Sequence, residues 1–204
     1  MRGGYDRKLP RLAFESNNIY GIPDLCSDML ASEIPETLQV YRACNGKQRT
    51  GEALTFFVHD YRFECAWNFP KKTIDALHRQ CWDMVCEPDF SLLADRPMAE
   101  QIWNTYRVRW CGRSFQESGL RVIPCPNWST PESYAFSFAG IPFRPPIVAV
   151  ESQTCGPDKT TWRDGFYAMI DALQPSCVLI YGKEFDIGKV DPIVRWFAPR
   201  RFRK

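Results

Sequence analysis

Short, unbroken runs of apolar residues constrain the fold of this chain more than any other feature of its sequence. Ile147–Val150 and Cys177–Tyr181 are continuous apolar runs, without the alternation of a strand that has one face in water. Strands have this character when helices cover both faces of the sheet or when the sheet closes into a barrel. The runs therefore predict buried strands in a mostly parallel sheet.

The alternation of such runs with helical patterns predicts the fold class. Pro70–Arg79 begins with proline in the first turn, where its missing N–H costs nothing. The strand–helix order predicts an α/β fold with a mostly parallel sheet of about six strands joined by crossover helices. An incomplete (β/α) barrel and an open three-layer sheet both fit, and the barrel-like version is favoured. The strand candidates are Thr37–Ala43, Leu54–His59, Asp83–Cys86, Leu120–Pro124, Ile147–Val150 and Cys177–Tyr181.

The 204 residues suit one domain with flanking segments. Residues 1–35 are rich in Pro, Asn, Ser and Asp, which predicts an irregular N-terminal arm. Residues 36–190 contain the strand–helix alternation and are expected to form a single α/β domain. Residues 191–204 are predicted to be a basic C-terminal tail, because five basic residues and no acid lie between Arg195 and Lys204.

Composition limits the compartment and the partners. The formal net charge of +2 is too small to indicate an acidic partner by itself. The nine cysteines include no C-x-x-C pair, which predicts free thiols in a reducing compartment and no structural zinc. No apolar run is long enough for a signal or membrane segment, so we expect a soluble, cytoplasmic protein without a membrane partner.

Polar and aromatic side chains follow several of the predicted strands. In parallel α/β folds, catalytic and binding residues gather just past the carboxyl ends of the strands. Asp89 is the strongest candidate because Pro88–Ser91 combines a rigid entry, an acid and a hydroxyl, whereas such residues elsewhere often only cap helices or form turns. We expect Asp60, Asp89 and Trp128 to meet at one rim of the sheet. The candidates of this group are Asp60, Arg62, Asp89, Trp128 and Tyr181.

A second candidate group, Asn104, Arg107 and Arg109, lies on the predicted helix after Asp89. Because the two arginines are two residues apart, they cannot share a helix face and should have different partners. One is expected to pair with Asp60 or Asp89, and the other can hold a phosphate or carboxylate bidentately. A salt bridge between the helix and a strand end is the alternative.

No standard catalytic or phosphate-binding signature is present, and the two histidines, His59 and His78, are too few for a histidine-rich metal site. His59, next to Asp60, is a candidate general base, although a lone histidine at a strand end is more often only hydrogen-bonded. The carboxylates are the other reactive groups. Two of them can form an acid–base pair, or they can ligate Mg²⁺ through oxygen. The carboxylates considered are Asp60, Glu64, Asp89 and Glu151.

These stretches together resemble the domain-of-unknown-function family 4417, a group of uncharacterised proteins from bacteriophages and mobile elements. The likeness covers roughly residues 50–183 and implies a phage or mobile-element protein in the cytoplasm of a bacterial host, with no established activity. The family commonly has small polar residues where this chain has Glu151, which argues against a role for Glu151. The matching stretches are His59–Glu64, Trp67–Asn68 with Pro70, Pro88–Ser91, Asn104 with Tyr106–Arg107 and Arg109–Trp110, Gln116, Gly119 with Val122–Pro124, Trp128–Ser129, Gly140–Ile141 and Tyr181–Gly182.

Two functional hypotheses follow. The first is an enzyme acting on a nucleotide or nucleic acid, in which Asp89 is the acid–base or metal-binding carboxylate, arginines hold phosphate and Trp128 stacks on a base. Asp60, Asp89 and Arg107 would be catalytic, and Arg62, Asn104, Arg109, Trp128 and Tyr181 would bind substrate. The second is a non-catalytic module that binds a host or phage protein, such as an inhibitor of host defence. The 14% aromatic content, which suits interface anchors, favours this alternative.

Overall fold

The computed structural model describes residues 13–41, 50–157 and 159–199. Strands and helices alternate over most of this range, as an α/β fold requires. The strands are β1 (Thr37–Val40), β2 (Glu52–Thr55), β3 (Met84–Cys86), β4 (Arg121–Ile123), β5 (Ile147–Glu151), β6 (Cys177–Tyr181) and β7 (Ile193–Phe197). The α-helices are α1 (Glu64–Asn68), α2 (Pro70–Arg79), α3 (Met98–Glu117), α4 (Tyr134–Ser137) and α5 (Thr160–Leu173). Short 3-10 turns occupy Ser27–Met29, Asp60–Arg62 and Pro131–Ser133.

All of these strands are parallel and lie in chain order, β1 to β4 in one sheet and β5 to β7 in another. The sheets meet where the Ala149 N–H donates to the Pro124 carbonyl at 2.9 Å. Every strand contributes to a single interior cluster, which Phe57 and Tyr181 close with ring centroids 5.7 Å apart. This convergence is the geometry of an incomplete (β/α) barrel, and it confirms the predicted α/β class. Its strand residues are Leu38, Val40, Ala53, Met84, Cys86, Ile123, Ile147, Ala149, Cys177, Leu179, Tyr181 and Phe197.

Helices cover the outward faces of the strands. Leu54, Val85 and Val122 pack with α3 in one outer cluster, and Val148 and Ile180 pack with α5 in another. Apolar residues on successive positions of a strand therefore all find a buried partner, inside or outside the barrel. This arrangement explains why the strands read as unbroken apolar runs.

The C-terminal segment differs from the prediction. Residues 191–204 were expected to form a basic tail, but β7 pairs along its length with β6. The strand is half-exposed, at the edge of its sheet, and contains Arg195. Its sequence is therefore not the unbroken apolar run that predicts a buried strand. The sheets thus contain one strand more than the expected six, and the basic residues at 200–204 lie outside the described residues.

The N-terminal segment, residues 13–35, contains one 3-10 turn and neither an α-helix nor a strand. It is nevertheless fastened to the barrel. The Gln116 side chain accepts from the Cys26 N–H at 2.8 Å and donates to the Cys26 carbonyl at 3.0 Å, and Leu30 bridges to Val122. Within the described ranges, no helix has the length and apolar character needed to span a bilayer.

Candidate active site at the carboxyl ends of the strands

Two adjoining cavities lie at the carboxyl ends of the strands, with volumes of about 520 and 410 Å³. We call the larger the tryptophan cavity and the smaller the arginine cavity. Both are lined by Asp89, Ser91, Glu151 and Thr154, which form their junction. The tryptophan cavity adds, among others, Leu92, Pro126, Asn127, Trp128, Ser129 and Trp162. The arginine cavity adds Val40, Phe57, Val58, His59, Arg62, Gln153, Tyr181 and Pro199.

Asp89 lies three residues beyond β3, at the junction of the two cavities. The Asn127 amide donates to Asp89 Oδ1 at 3.0 Å and to the Phe90 carbonyl at 2.8 Å, which fixes the carboxyl group. Burial, together with the charges of Glu151 and Asp60, raises the pKa of Asp89 from 3.8 to about 7. At neutral pH the carboxyl group is therefore poised to give or to take a proton.

Glu151, the last residue of β5, is the second carboxylate at the junction. It accepts hydrogen bonds from the Thr154 hydroxyl at 2.7 Å, the Thr154 N–H at 3.1 Å and the Gln153 N–H. Burial raises the pKa of Glu151, and these hydrogen bonds oppose the rise. The resemblance argued against a role for Glu151, yet the structure places it beside Asp89. Its position at a strand end had placed it among the candidate carboxylates.

Asp60 faces the loop after β3 and lines neither cavity. Its two carboxylate oxygens accept from Ser91, Oδ2 from the N–H at 3.0 Å and Oδ1 from the hydroxyl at 2.9 Å. The structure brings Asp60, Asp89 and Trp128 to the same end of the barrel, as expected. Within that group, Asp60 links the turn after β2 to the loop that contains Asp89.

Asn104 and Arg107 support the same loop from α3. The Asn104 amide donates to the Ser91 carbonyl at 2.7 Å and accepts from Arg107 at 2.7 Å. The Arg107 guanidinium pairs with Glu64 at 2.8 Å and lies 3.9 Å from the centre of the Phe90 ring. The expectation that an arginine pairs with Asp60 or Asp89 is therefore wrong. Asp60 is satisfied by Ser91, and Arg107 reaches α1 instead.

Arg109 lies in the interior, 1% exposed, and away from both cavities. It pairs with the carboxylate of Glu87 and donates to the carbonyls of Ala139 at 3.0 Å and Ser137 at 3.2 Å. Glu87 is fully buried, which raises its pKa to about 7 although Arg109 and the Cys125 N–H lower it. The two arginines thus have different partners, as their spacing predicted, and both partners are glutamates of the protein.

Trp128 and Tyr181, two predicted binding residues, do line the cavities. The Trp128 ring lies 5.7 Å from that of Trp162, with an interplanar angle of 57°. It packs against α5 at Gly165, where any Cβ atom would overlap the indole. Trp162 donates its ring N–H to the Glu151 carbonyl at 2.8 Å, so it also holds the end of β5. Sequence patterns missed Trp162 because it belongs to the apolar face of a helix.

Arg62 is the predicted phosphate-binding residue that faces a cavity. Its Nε atom donates to the Tyr61 hydroxyl at 3.2 Å. Among the described residues, no carboxylate lies within ion-pair distance of Arg62. The structure therefore brings Arg62, Asp89, Trp128 and Tyr181 to the cleft. It places Asp60 at its margin, with Asn104, Arg107 and Arg109 behind it.

The sequence assigned no metal ligands, left Mg²⁺ binding by carboxylates open, and predicted free thiols without structural zinc. In residues 13–41, 50–157 and 159–199, no three His, Cys, Asp or Glu side chains are grouped to hold a metal ion. The cysteines of these ranges, eight in number, are free thiols, and Cys44 lies outside the described residues.

Comparisons with known proteins agree on one family. The sequence profile of a domain of unknown function, DUF4417, matches residues 14–198. The Gene 1 protein of Mycobacterium phage L5 is 37% identical over an alignment of 207 residues. The alignment covers 98% of this chain and 89% of that protein. The Gene 1 protein of Mycobacterium phage D29 is 35% identical over 187 residues, 89% of this chain and 67% of that protein. No solved structure gives a significant match.

Proposed function

Because the chain belongs to the DUF4417 family and its relatives include phage proteins, we propose that it is a phage enzyme acting on a nucleotide or nucleic acid. We place its action in the cytoplasm of the bacterial host. The observation that carries this proposal is Asp89, a carboxyl group with a pKa of about 7 at the junction of two cavities. Groups titrating near the working pH are the best general acids and bases.

Asp89 and Glu151 are the acid–base pair of this proposal. Asp89 retains its proton to near neutral pH. Burial raises the pKa of Glu151 as well, but Glu151 accepts hydrogen bonds from Thr154 and Gln153 that favour its ionised form. Two carboxyl groups whose environments differ in this way can divide the roles of acid and base. The same oxygens can also ligate Mg²⁺, so activity is to be measured with and without this ion.

The cleft suits a nucleotide in size and lining. Its larger cavity, of about 520 Å³, is within the range typical of small-molecule sites. Trp128 and Trp162 offer ring surfaces, and aromatic side chains commonly bind bases by stacking.

The test begins with binding. Purified protein should be stabilised against heat by at least one nucleotide or short oligonucleotide in a broad panel. The ligand is then incubated with the wild type and with Asp89→Asn, and products are separated and weighed by mass spectrometry. We expect turnover to fall by about 10²–10⁴-fold in Asp89→Asn, while binding persists.

The matched control is Asp75→Asn, at an exposed position on α2. It should leave both binding and turnover at the wild-type level. Failure of every nucleotide and oligonucleotide to bind would contradict the proposal. Equal turnover in the wild type and Asp89→Asn would remove Asp89 from the chemistry.

An exposed aromatic surface favours the second candidate, a protein-binding module. Trp103 is 46% exposed and stacks on Tyr106 with ring centroids 5.6 Å apart, beside Trp67 at 5.2 Å. Exposed rings of this kind are frequent anchors of interfaces. Pull-down from host lysate separates the candidates. A stoichiometric partner that is lost with Trp103→Ala but kept with Asp89→Asn would support binding through this surface.

A further inference from the structure

We infer that the cleft binds a nucleoside monophosphate unit in one direction, with its base in the tryptophan cavity and its phosphate at Arg62 in the arginine cavity. This inference rests on the proposed function and specifies its substrate. The unit can be a free nucleotide or one residue of a strand, since both present the same base, sugar and phosphate. The reasons are the different charges and linings of the two cavities.

Arg62 differs from the other described arginines because it lines a cavity and has no carboxylate partner. Other described arginines without an ion pair line neither cavity, namely Arg79, Arg121, Arg144, Arg163 and Arg195. Arg96, Arg107, Arg109 and Arg113 each form an ion pair with a glutamate. Arg62 has no carboxylate within ion-pair distance in the described ranges, and it lines the arginine cavity together with His59. A guanidinium without an acidic partner at a cavity wall is suited to bind a phosphate bidentately.

The tryptophan cavity shares the acids Asp89 and Glu151 with the arginine cavity but lacks its cation. Of the described residues that line it, none is a lysine, an arginine or a histidine, and two are the carboxylic acids Asp89 and Glu151. A phosphate there would meet negative charge without compensation. An uncharged heterocycle would meet the rings of Trp128 and Trp162 and the apolar wall at Leu92 and Pro126. The base of a nucleotide is such a group.

The order of the three parts then follows from the shared residues. Asp89 and Glu151 line both cavities, so they lie between the place for the base and the place for the phosphate. They would face the sugar, in the middle of the bound unit.

Calorimetric titration of the whole chain tests this arrangement. The probes are the four ribonucleosides, their 5′- and 3′-monophosphates, the deoxy counterparts and inorganic phosphate. We expect at least one monophosphate to bind about 10- to 100-fold more tightly than its nucleoside, the usual contribution of charge-assisted hydrogen bonds. Arg62→Gln should abolish that difference and leave nucleoside binding unchanged. Arg79→Gln, at an exposed position on α2, should retain it.

The base position is tested with Trp128→Leu and, in case that variant folds poorly, with the milder Trp128→Phe. Each should weaken nucleoside and monophosphate by the same factor, because the base is common to both. A monophosphate preference that survives Arg62→Gln would overturn the inference and leave the proposed function intact. Failure of all nucleosides, nucleotides and oligonucleotides to bind would overturn both.

A 5′-phosphorylated pentanucleotide distinguishes a free nucleotide from one residue of a strand as the source of the bound unit. Tighter binding than the monophosphate assigns the unit to a strand, and equal binding assigns it to a free nucleotide.

Discussion

Asp89 shows at the scale of a single residue what sequence can and cannot predict. Its place after a strand, between Pro88 and Ser91, is visible in the sequence and predicted the correct end of the barrel. Its pKa of about 7 depends on burial and on Glu151 and Asp60, which are remote in sequence. Only the folded chain assembles those charges, so the property that matters for proton transfer could not be predicted.

The raised pKa of Asp89 predicts how stability varies with pH. Between pH 4 and 7 the folded protein holds a proton that the unfolded chain has released, so this group makes the free energy of unfolding fall as pH rises. Asp89→Asn removes that contribution. From pH 5 to pH 8, the free energy of unfolding of the variant should therefore rise by about 2–3 kcal/mol relative to that of the wild type. Urea unfolding at both pH values measures the change. Asp75→Asn should show none, and a similar result for both variants would contradict the raised pKa.

Helix α3 shows the same limit at the scale of an element. Its existence was predictable from the apolar residues at i+4 along one face, Met98, Ile102, Tyr106 and Trp110. Met98 is nevertheless 40% exposed. Beside apolar residues such as Trp110 and Phe115, the helix buries polar residues that connect different parts of the fold. Gln116 binds the N-terminal segment, Asn104 the loop after β3, and Arg109 the carbonyls near α4. Hydrophobic periodicity does not reveal these polar residues, because hydrogen bonds rather than apolar character compensate for their burial.

The buried pair of Arg109 and Glu87 yields the prediction for this element. Arg109→Met leaves Glu87 buried without its cation, and we expect a loss of about 3–5 kcal/mol in the free energy of unfolding. The double variant with Glu87→Met should lose clearly less than the sum of the single variants, because no buried carboxyl group or guanidinium is left without its partner. The measurement is urea unfolding of the wild type, the two single variants and the double variant, which together form a double-mutant cycle. Arg96→Ala, in an exposed pair, should leave the urea midpoint close to that of the wild type. Simple additivity of the two buried substitutions would contradict the coupling.

At the scale of the whole molecule, the α/β class and the strands β1 to β6 were predictable because most of their residues are buried on both faces. Strand β7 was not, since an edge strand that contains Arg195 and has half-exposed faces resembles a polar tail. The strand nevertheless contributes to the clusters on both sides of the incomplete barrel. Phe197 joins the interior cluster, and Val194 and Trp196 pack against the outer cluster beneath α5.

Truncation tests whether β7 is part of the folding unit or a dispensable extension. Removal of residues 192–204 would expose the edge of β6 and uncover the partly buried Val194, Trp196 and Phe197 contacts. Each such side chain contributes up to about 1.5–3 kcal/mol when fully buried, and a domain has only about 5–15 kcal/mol in total. We therefore expect this truncated chain to lose its cooperative thermal transition or to aggregate through the open edge. Removal of residues 200–204 alone takes away four of the five basic residues and no part of β7, so its melting temperature should stay within about 2 °C of the wild type. If both truncated chains melt like the full chain, β7 does not stabilise the barrel.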